Sequence, residues 1–178
     1  MELRIQRADR KRGFTLVEVL VAAALLSVCT AMAMAGFSRV INATVASVKS
    51  AVMHQELRNG MSRMSRDIME SNRVYDYWSG TWTFLSLYKP TAAGGVYVYY
   101  LVHDSKLYRL QSDGMGWQIL GNNFESLSAR FFNLDGEPVT ALASATLVNV
   151  KLGGKVSSRG IVYKDTVETR VRLRNKQG

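Results

Sequence analysis

The hydrophobic and polar positions fall into three successive regimes along the chain. From Val19 to Ser38 every side chain is uncharged and most are apolar, matching the run of about 20 residues that a bilayer core requires. Ala, Leu, Val and Met dominate it, so the segment predicts a helix and is too long for a strand. Beyond Arg39, apolar residues recur mostly at intervals of three and four: Val45, Val48, Val52, Met53, Leu57, Met61, Met64 and Ile68, with Lys49, Arg58, Arg63, Arg66 and Asp67 between them. That spacing predicts an amphipathic continuation to about Arg73. Its Met-rich stripe is expected to pack on the protein's own sheet. Unbroken from Phe14, such a helix would be about 90 Å long. Gly36 and Gly60 are candidate weak points, each costing about 1 kcal/mol relative to Ala.

After Ser71-Asn72 the period becomes two. Phe84 to Tyr88, Val96 to Val102, Lys106 to Leu110, Trp117 to Leu120, Leu127 to Phe132, Thr146 to Leu152 and Ile161 to Leu173 read as strands. Gly94-Gly95, His103-Asp104-Ser105, Asp113-Gly114, Asn122-Asn123, Asp135-Gly136 and Gly153-Gly154 supply turn chemistry between them. Short strands joined by short turns give antiparallel meanders. The expected fold class is therefore α+β, with one long N-terminal helix, part membrane and part amphipathic, packed on an antiparallel sheet head. In the last strand, Val167, Thr169, Val171 and Leu173 alternate with Glu168, Arg170, Arg172 and Arg174. That places a guanidinium row on one face, read as a solvated surface that discourages edge pairing. Binding of nucleic acid or an acidic partner is the alternative reading of that row.

Composition changes the picture only where it is uneven. The 178 residues carry 23 Lys and Arg against 14 Asp and Glu, a net charge of +9, and the mean hydropathy is -0.04. An aromatic share of 10% with 21% charged residues argues against disorder. With Cys29 as the only cysteine there is no intramolecular disulfide. The uncharged run excludes a plain cytosolic domain with a basic surface.

Arg4, Arg7, Arg10, Lys11 and Arg12 precede that run against Glu2 and Asp9, a net of +3. Basic residues ahead of an apolar span hold the N-terminus in the cytoplasm. Ala31-Met32-Ala33 and Ala33-Met34-Ala35 fit a signal-peptidase site, so a cleaved secretory signal competes with a plain anchor. Glu18 fits neither, since an acidic side chain in a membrane helix costs about 3 kcal/mol and marks a functional site by default. Its bland alternative is an interfacial carboxylate snorkelling towards Arg10, Lys11 and Arg12.

The stretch Lys11-Arg12-Gly13-Phe14-Thr15-Leu16-Val17-Glu18-Val19-Leu20-Val21 resembles the class III leader of type IV prepilins and type II secretion pseudopilins. The resemblance implies cutting between Gly13 and Phe14 by a prepilin peptidase that also N-methylates Phe14. It further implies that Glu18 meets the Phe14 amine of a neighbouring subunit during filament assembly. Opposite charges about 4 Å apart attract by roughly 4 kcal/mol at an effective dielectric of 20, enough to offset burial of the carboxylate. The domain division that follows is a cleaved leader at 1–13, a membrane and filament-core helix at 14–38, an amphipathic helix at 39–73 and a periplasmic head at 74–178.

Catalytic constellations are not found. His54 and His103 lack metal-ligand spacing, and Asp113, Asp135 and Glu137 sit in Gly-containing turns where Asx chemistry suffices. No metal, no cofactor and no enzymatic activity is expected. The clusters Tyr75, Tyr77, Trp78, Trp82 and Tyr97, Tyr99, Tyr100 could stack single-stranded DNA with Arg109. Alternation puts Tyr97 and Tyr99 on one face and Tyr100 on the other, favouring core and cross-strand pairs, so no nucleic-acid partner is expected.

The segment Glu56-Leu57-Arg58 through Met64-Ser65-Arg66-Asp67-Ile68 is similar to the Arg-x-x-x-Asp helix end of J-type minor pseudopilins and the related minor pilin W. Phe124-Glu125-Ser126-Leu127-Ser128-Ala129-Arg130-Phe131-Phe132, Asp135-Gly136 and Thr146 to Leu152 resemble that group as well. This implies a minor pseudopilin at or near the tip of a type II secretion pseudopilus, supporting protein export. Implied partners are other minor and major pseudopilins, the inner-membrane assembly platform and the bilayer. Two alternatives remain: a minor type IV pilin for pilus initiation, adhesion or DNA uptake, and a plain anchored periplasmic binding domain.

Overall fold

A long Ala- and Leu-rich stretch without proline propagates as helix until side-chain chemistry stops it. In the computed structural model, which describes residues 14–79, 83–92, 94–114 and 116–174, helix α1 runs over Leu16–Glu70. The chain forms two compact units, Met1–Thr44 and Val45–Gly178, and α1 contributes to both. The α+β architecture expected from the sequence is present: one long N-terminal helix followed by an antiparallel β head.

α1 stops three residues before the expected Arg73, because Ser71 turns back on it. The Ser71 hydroxyl donates to the Asp67 carbonyl at 2.6 Å, and the Asn72 N–H already donates to the Tyr88 carbonyl of the sheet. Strand β1, Arg73–Ser79, therefore begins where helix was expected. It pairs with β2, Thr83–Lys89, and the meander continues through β3, Val96–His103, β4, Lys106–Gln111, and β5, Gly116–Asn122. A second sheet contains β6, Phe124–Phe132, β7, Leu147–Ser158, and β8, Ile161–Arg172. The single sheet suggested by the alternation is thus two. Strand periodicity specifies faces but not pairing partners. The break falls at Asn123, whose φ of 65° swings the chain out of the first sheet.

Gly153-Gly154 is no turn. Both residues lie within β7, opposite Thr166 and Asp165, and the chain reverses instead at Arg159-Gly160, with φ of 50° and 81°. The glycines serve close packing: a Cβ on Gly154 would stand 2.9 Å from Leu57 Cδ1 and 3.1 Å from Met53 Cγ. Gly60 works likewise from the helix side, where a Cβ would meet Leu107 Cδ2 at 2.8 Å. It is a contact point in the core rather than a weak point.

The core lies where α1 meets both sheets. Met53, Leu57, Met61, Met64 and Ile68 are buried with Leu85, Leu87, Val98, Tyr100 and Leu107 of the first sheet and Phe124, Leu127, Val148, Val150 and Leu152 of the second. The expected stripe is correct from Met53 onward. Val45, Val48 and Val52 are exposed, and the buried face begins instead at Ala46, one residue out of phase with Val45.

Asp67, expected on the polar side, is 2% exposed. Its Oδ2 accepts from Arg109 Nε at 2.7 Å and from the Tyr100 hydroxyl at 2.6 Å. Arg109 Nη2 donates onward to Gln111 Oε1 at 2.7 Å, so a chain of polar contacts leads from the helix end to the β4 margin. Burial first, then the Asp67 charge and hydrogen bond, push the Tyr100 hydroxyl well above its usual 10.0. For Arg109, burial alone would lower the guanidinium, but the hydrogen bond and charge of Asp67 outweigh it and raise it. Arg109 is therefore a core residue and no part of a stacking platform.

The aromatic residues divide between faces as the alternation requires. Tyr100 is in the core, while Tyr97 contacts Tyr75 edge-on at 5.0 Å and stacks on Tyr99 at 6.3 Å. Trp82 lies outside the described residues. In and just after β8, Arg170, Arg172 and Arg174 are exposed beside buried Val171 and Leu173. Arg170 lies over the Phe132 ring at 4.5 Å.

Candidate functional site

The residues singled out by sequence gather at the start of α1, where a helix must satisfy four N–H groups that have no partner in the preceding turn. Thr15 is the N-cap: its carbonyl accepts the first helical hydrogen bond, from the Val19 N–H at 3.2 Å. The Thr15 hydroxyl oxygen accepts from the Glu18 N–H at 3.3 Å, and the Thr15 N–H donates to Glu18 Oε2 at 3.5 Å. This reciprocal arrangement is a capping box, with the acidic residue at the third helical position. Glu18 also sits in the first turn, where a negative charge meets the positive end of the helix dipole.

Behind the cap, Leu16, Leu20, Leu25, Leu26, Met32, Met34 and Phe37 are all exposed. An apolar surface around the whole circumference needs lipid or partner helices. Three hydroxyls in and near this stretch bond back to the helix. Ser27 Oγ donates to the Ala24 carbonyl and Thr30 Oγ1 to the Leu26 carbonyl, both at 2.7 Å, and Thr44 Oγ1 donates to the Val40 carbonyl at 2.9 Å. Such back-bonding spares these three hydroxyls the cost of lying unpaired in an apolar surrounding. By length and composition this helix is apolar enough to cross a membrane.

The prokaryotic N-terminal methylation motif matches residues 9–34. This match supports a type IV pilin-like protein, whose leader implies processing by a prepilin peptidase and assembly with other pilins. It also fits a single-pass, membrane-anchored chain. No curated protein matches the sequence.

Phe14 is 81% exposed, and Glu18 lies within its own subunit's cap. The leader residues Arg10, Lys11, Arg12 and Gly13 lie outside the described residues. Sequence reasoning missed the partnership of Glu18 with Thr15, although Thr15-Leu16-Val17-Glu18 is a legible Thr-x-x-Glu signal. It also missed the buried group of Asp67, Tyr100 and Arg109.

The acidic turn residues have local explanations. Asn133 Oδ1 accepts from the Glu137 N–H at 2.8 Å, and Asn133 Nδ2 donates to Glu137 Oε2 at 3.2 Å around Asp135-Gly136. His54 Nδ1 lies 2.7 Å from Asp165 Oδ2, and His103 Nε2 lies 3.3 Å from Asp104 Oδ2. Neither histidine belongs to a metal-capable cluster among the described residues.

Proposed function

We propose that this chain is a minor pseudopilin, cut after Gly13 and N-methylated on Phe14, that joins other pseudopilins at or near the tip of a type II secretion pseudopilus. The observation carrying the reading is the methylation motif over residues 9–34 running directly into a capped, membrane-length helix. A β head with its own core follows, as a filament subunit requires. In this reading residues 1–13 are the leader, 14–38 span the inner membrane, 39–73 continue the helix and 74–178 form the periplasmic head. Arg10, Lys11 and Arg12 hold the leader in the cytoplasm, where the prepilin peptidase and N-methyltransferase acts. Glu18 then exchanges or shares its local cap for the Phe14 amine of a neighbour. The inner-membrane assembly platform moves the subunit from bilayer to filament, and exported protein is the filament's cargo.

Two measurements test this. The intact mass and N-terminus of the membrane-extracted protein should show methyl-Phe14, whereas a chain beginning at Met34 or Gly36 refutes prepilin processing. Deleting the gene should then abolish export through a secretin while surface pili persist. Loss of pili with export intact assigns the chain to a type IV pilus instead. Loss of neither leaves an anchored periplasmic domain.

A further inference from the structure

Three contacts set the direction in which β7 and β8 run along α1. Gly154 leaves no room for a Cβ against Leu57 and Met53, and three residues later the Ser157 carbonyl accepts from Lys49 Nζ at 3.5 Å. β7 therefore advances towards the N-terminal end of the helix. β8 runs back from that end, and its Asp165 Oδ2 stands 2.7 Å from His54 Nδ1. The turn between them is Arg159-Gly160, where φ is positive at both residues, as a two-residue hairpin loop of the mirror-image type requires.

This turn lies towards the membrane segment. Lys49 is the eleventh residue after Ser38, where the uncharged run ends, and a helical rise of 1.5 Å puts it about 16 Å further on. Two strand residues past Ser157 recover about 7 Å of that distance. A headgroup layer extends about 5–8 Å outward from the hydrocarbon core.

The composition of the hairpin changes towards its tip. Ile161 is 57% and Val162 50% exposed, side by side where turns usually carry polar residues. No acidic residue occurs between Glu137 and Asp165, nor on α1 between Glu18 and Glu56. The charges closest to the tip are thus the cations Lys49 and Arg159. Lys155 and Lys164, higher on the hairpin, are engaged by Glu125 at 3.6 and 2.7 Å, whereas Arg159 has no carboxylate partner among the described residues. Two β-branched side chains beside an unpaired guanidinium suit a lipid interface, where apolar groups enter the acyl boundary and the guanidinium meets phosphate oxygens.

We propose that the β7–β8 hairpin tip is a second membrane contact, with Ile161 and Val162 at the headgroup boundary and Arg159 on the phosphates of anionic phospholipid. The covalent tether through α1 raises the effective concentration of the tip at the surface, so a weak contact suffices. The proposal rests on Val19–Ser38 crossing a bilayer and is independent of whether the chain serves export or a pilus.

The full chain with Cys29→Ser and Ile161→Cys, labelled with a polarity-sensitive fluorophore, is reconstituted in vesicles of phosphatidylcholine alone or mixed with phosphatidylglycerol. Nitroxide carried on the lipid should quench this label, most strongly in the mixed vesicles, while aqueous iodide quenches it poorly. A label at Asp135→Cys should show the reverse, because that turn follows Phe132, which pairs with Leu147 at the other end of β7. Arg159→Asn preserves the turn, since Asn tolerates positive φ, and removes the charge. It should lower the ratio of bound to free tip about fivefold in the mixed vesicles. An Ile161 label quenched no better by lipid than the Asp135 label, in a chain that resists alkaline extraction, overturns the proposal alone. Release of the chain by alkaline wash overturns the membrane span and the proposal together. Protection that rises with protein density and not with anionic lipid assigns the tip to a second copy, which also overturns it.

Discussion

Arg109 Nε donates to Asp67 Oδ2 at 2.7 Å with both side chains only 3% exposed, so the end of α1 is tied to the middle of the first sheet by an ion pair inside the core. The pair joins residues 42 apart in sequence, and Tyr100 completes it from the adjacent strand. Its value is easiest to see by breaking one side. Asp67→Ala leaves a guanidinium buried without its carboxylate and should cost about 3–5 kcal/mol. Replacing both partners, as Asp67→Leu with Arg109→Met, should recover most of that loss because no charge remains to be stranded. Denaturant unfolding of the detergent-extracted full chain, followed by tryptophan fluorescence, measures both. Equal loss in the single and double variants would show that packing rather than charge pairing dominates.

Tyr100 gives the same cluster an alkaline signature. Its hydroxyl is raised above the usual 10.0, so the folded state keeps a proton that the unfolded chain gives up. The associated stability is complete below pH 10 and falls as pH rises beyond it, by up to about 1.4 kcal/mol per pH unit for one group. Tyr100→Phe should lower stability at pH 8 by about 1.5–3 kcal/mol through the lost hydrogen bond to a charged group. It should also flatten the alkaline limb between pH 10 and 11. Unfolding midpoints over that range decide it, and unchanged slopes would remove Tyr100 as the source.

Much of this was legible in the sequence, but not the cluster. The long helix, the later strands and the Met stripe follow from local period, which the chain states openly. Asp67 sits next to Ile68 at the edge of the apolar stripe, and period cannot tell a flanking carboxylate from a buried one. Only Arg109 and Tyr100, distant in sequence, make its burial tolerable. The same limit hid the second sheet and the role of Gly153-Gly154, because both depend on which strand meets which. β1 was missed for a more local reason. Its Tyr75-Asp76 irregularity interrupts the alternation, so Arg73–Ser79 lacks the two-residue pattern that marks the later strands.

Gly60 distinguishes helix propensity from packing. In an open helix Gly→Ala gains about 1 kcal/mol, and Gly36, with nothing within 4 Å of its would-be Cβ, should follow that rule. At Gly60 the methyl would press on Leu107 at 2.8 Å and Phe124 at 3.2 Å. Gly60→Ala should therefore lose about 1–3 kcal/mol from overpacking in spite of its better propensity. Thermal unfolding of the two variants should move in opposite directions. A stabilised Gly60→Ala would mean that the Leu107 and Phe124 side chains yield.

Glu18 has two roles to separate, because the residue expected to serve assembly also closes a capping box with Thr15. A glutamine can accept the Thr15 N–H as well as a glutamate can, but it carries no charge. Glu18→Gln should accordingly leave the helix start, the membrane level of the protein and the methylated N-terminus unchanged. Filament-dependent export or piliation should nevertheless fall as far as in Glu18→Ala, since a neutral amide cannot attract a neighbour's amine. Thr15→Ala supplies the converse, losing about 1 kcal/mol of cap while the carboxylate remains. It should retain most filament function. If Glu18→Gln supports normal filaments and Thr15→Ala does not, the carboxylate matters as a cap alone and the intersubunit charge pair is wrong.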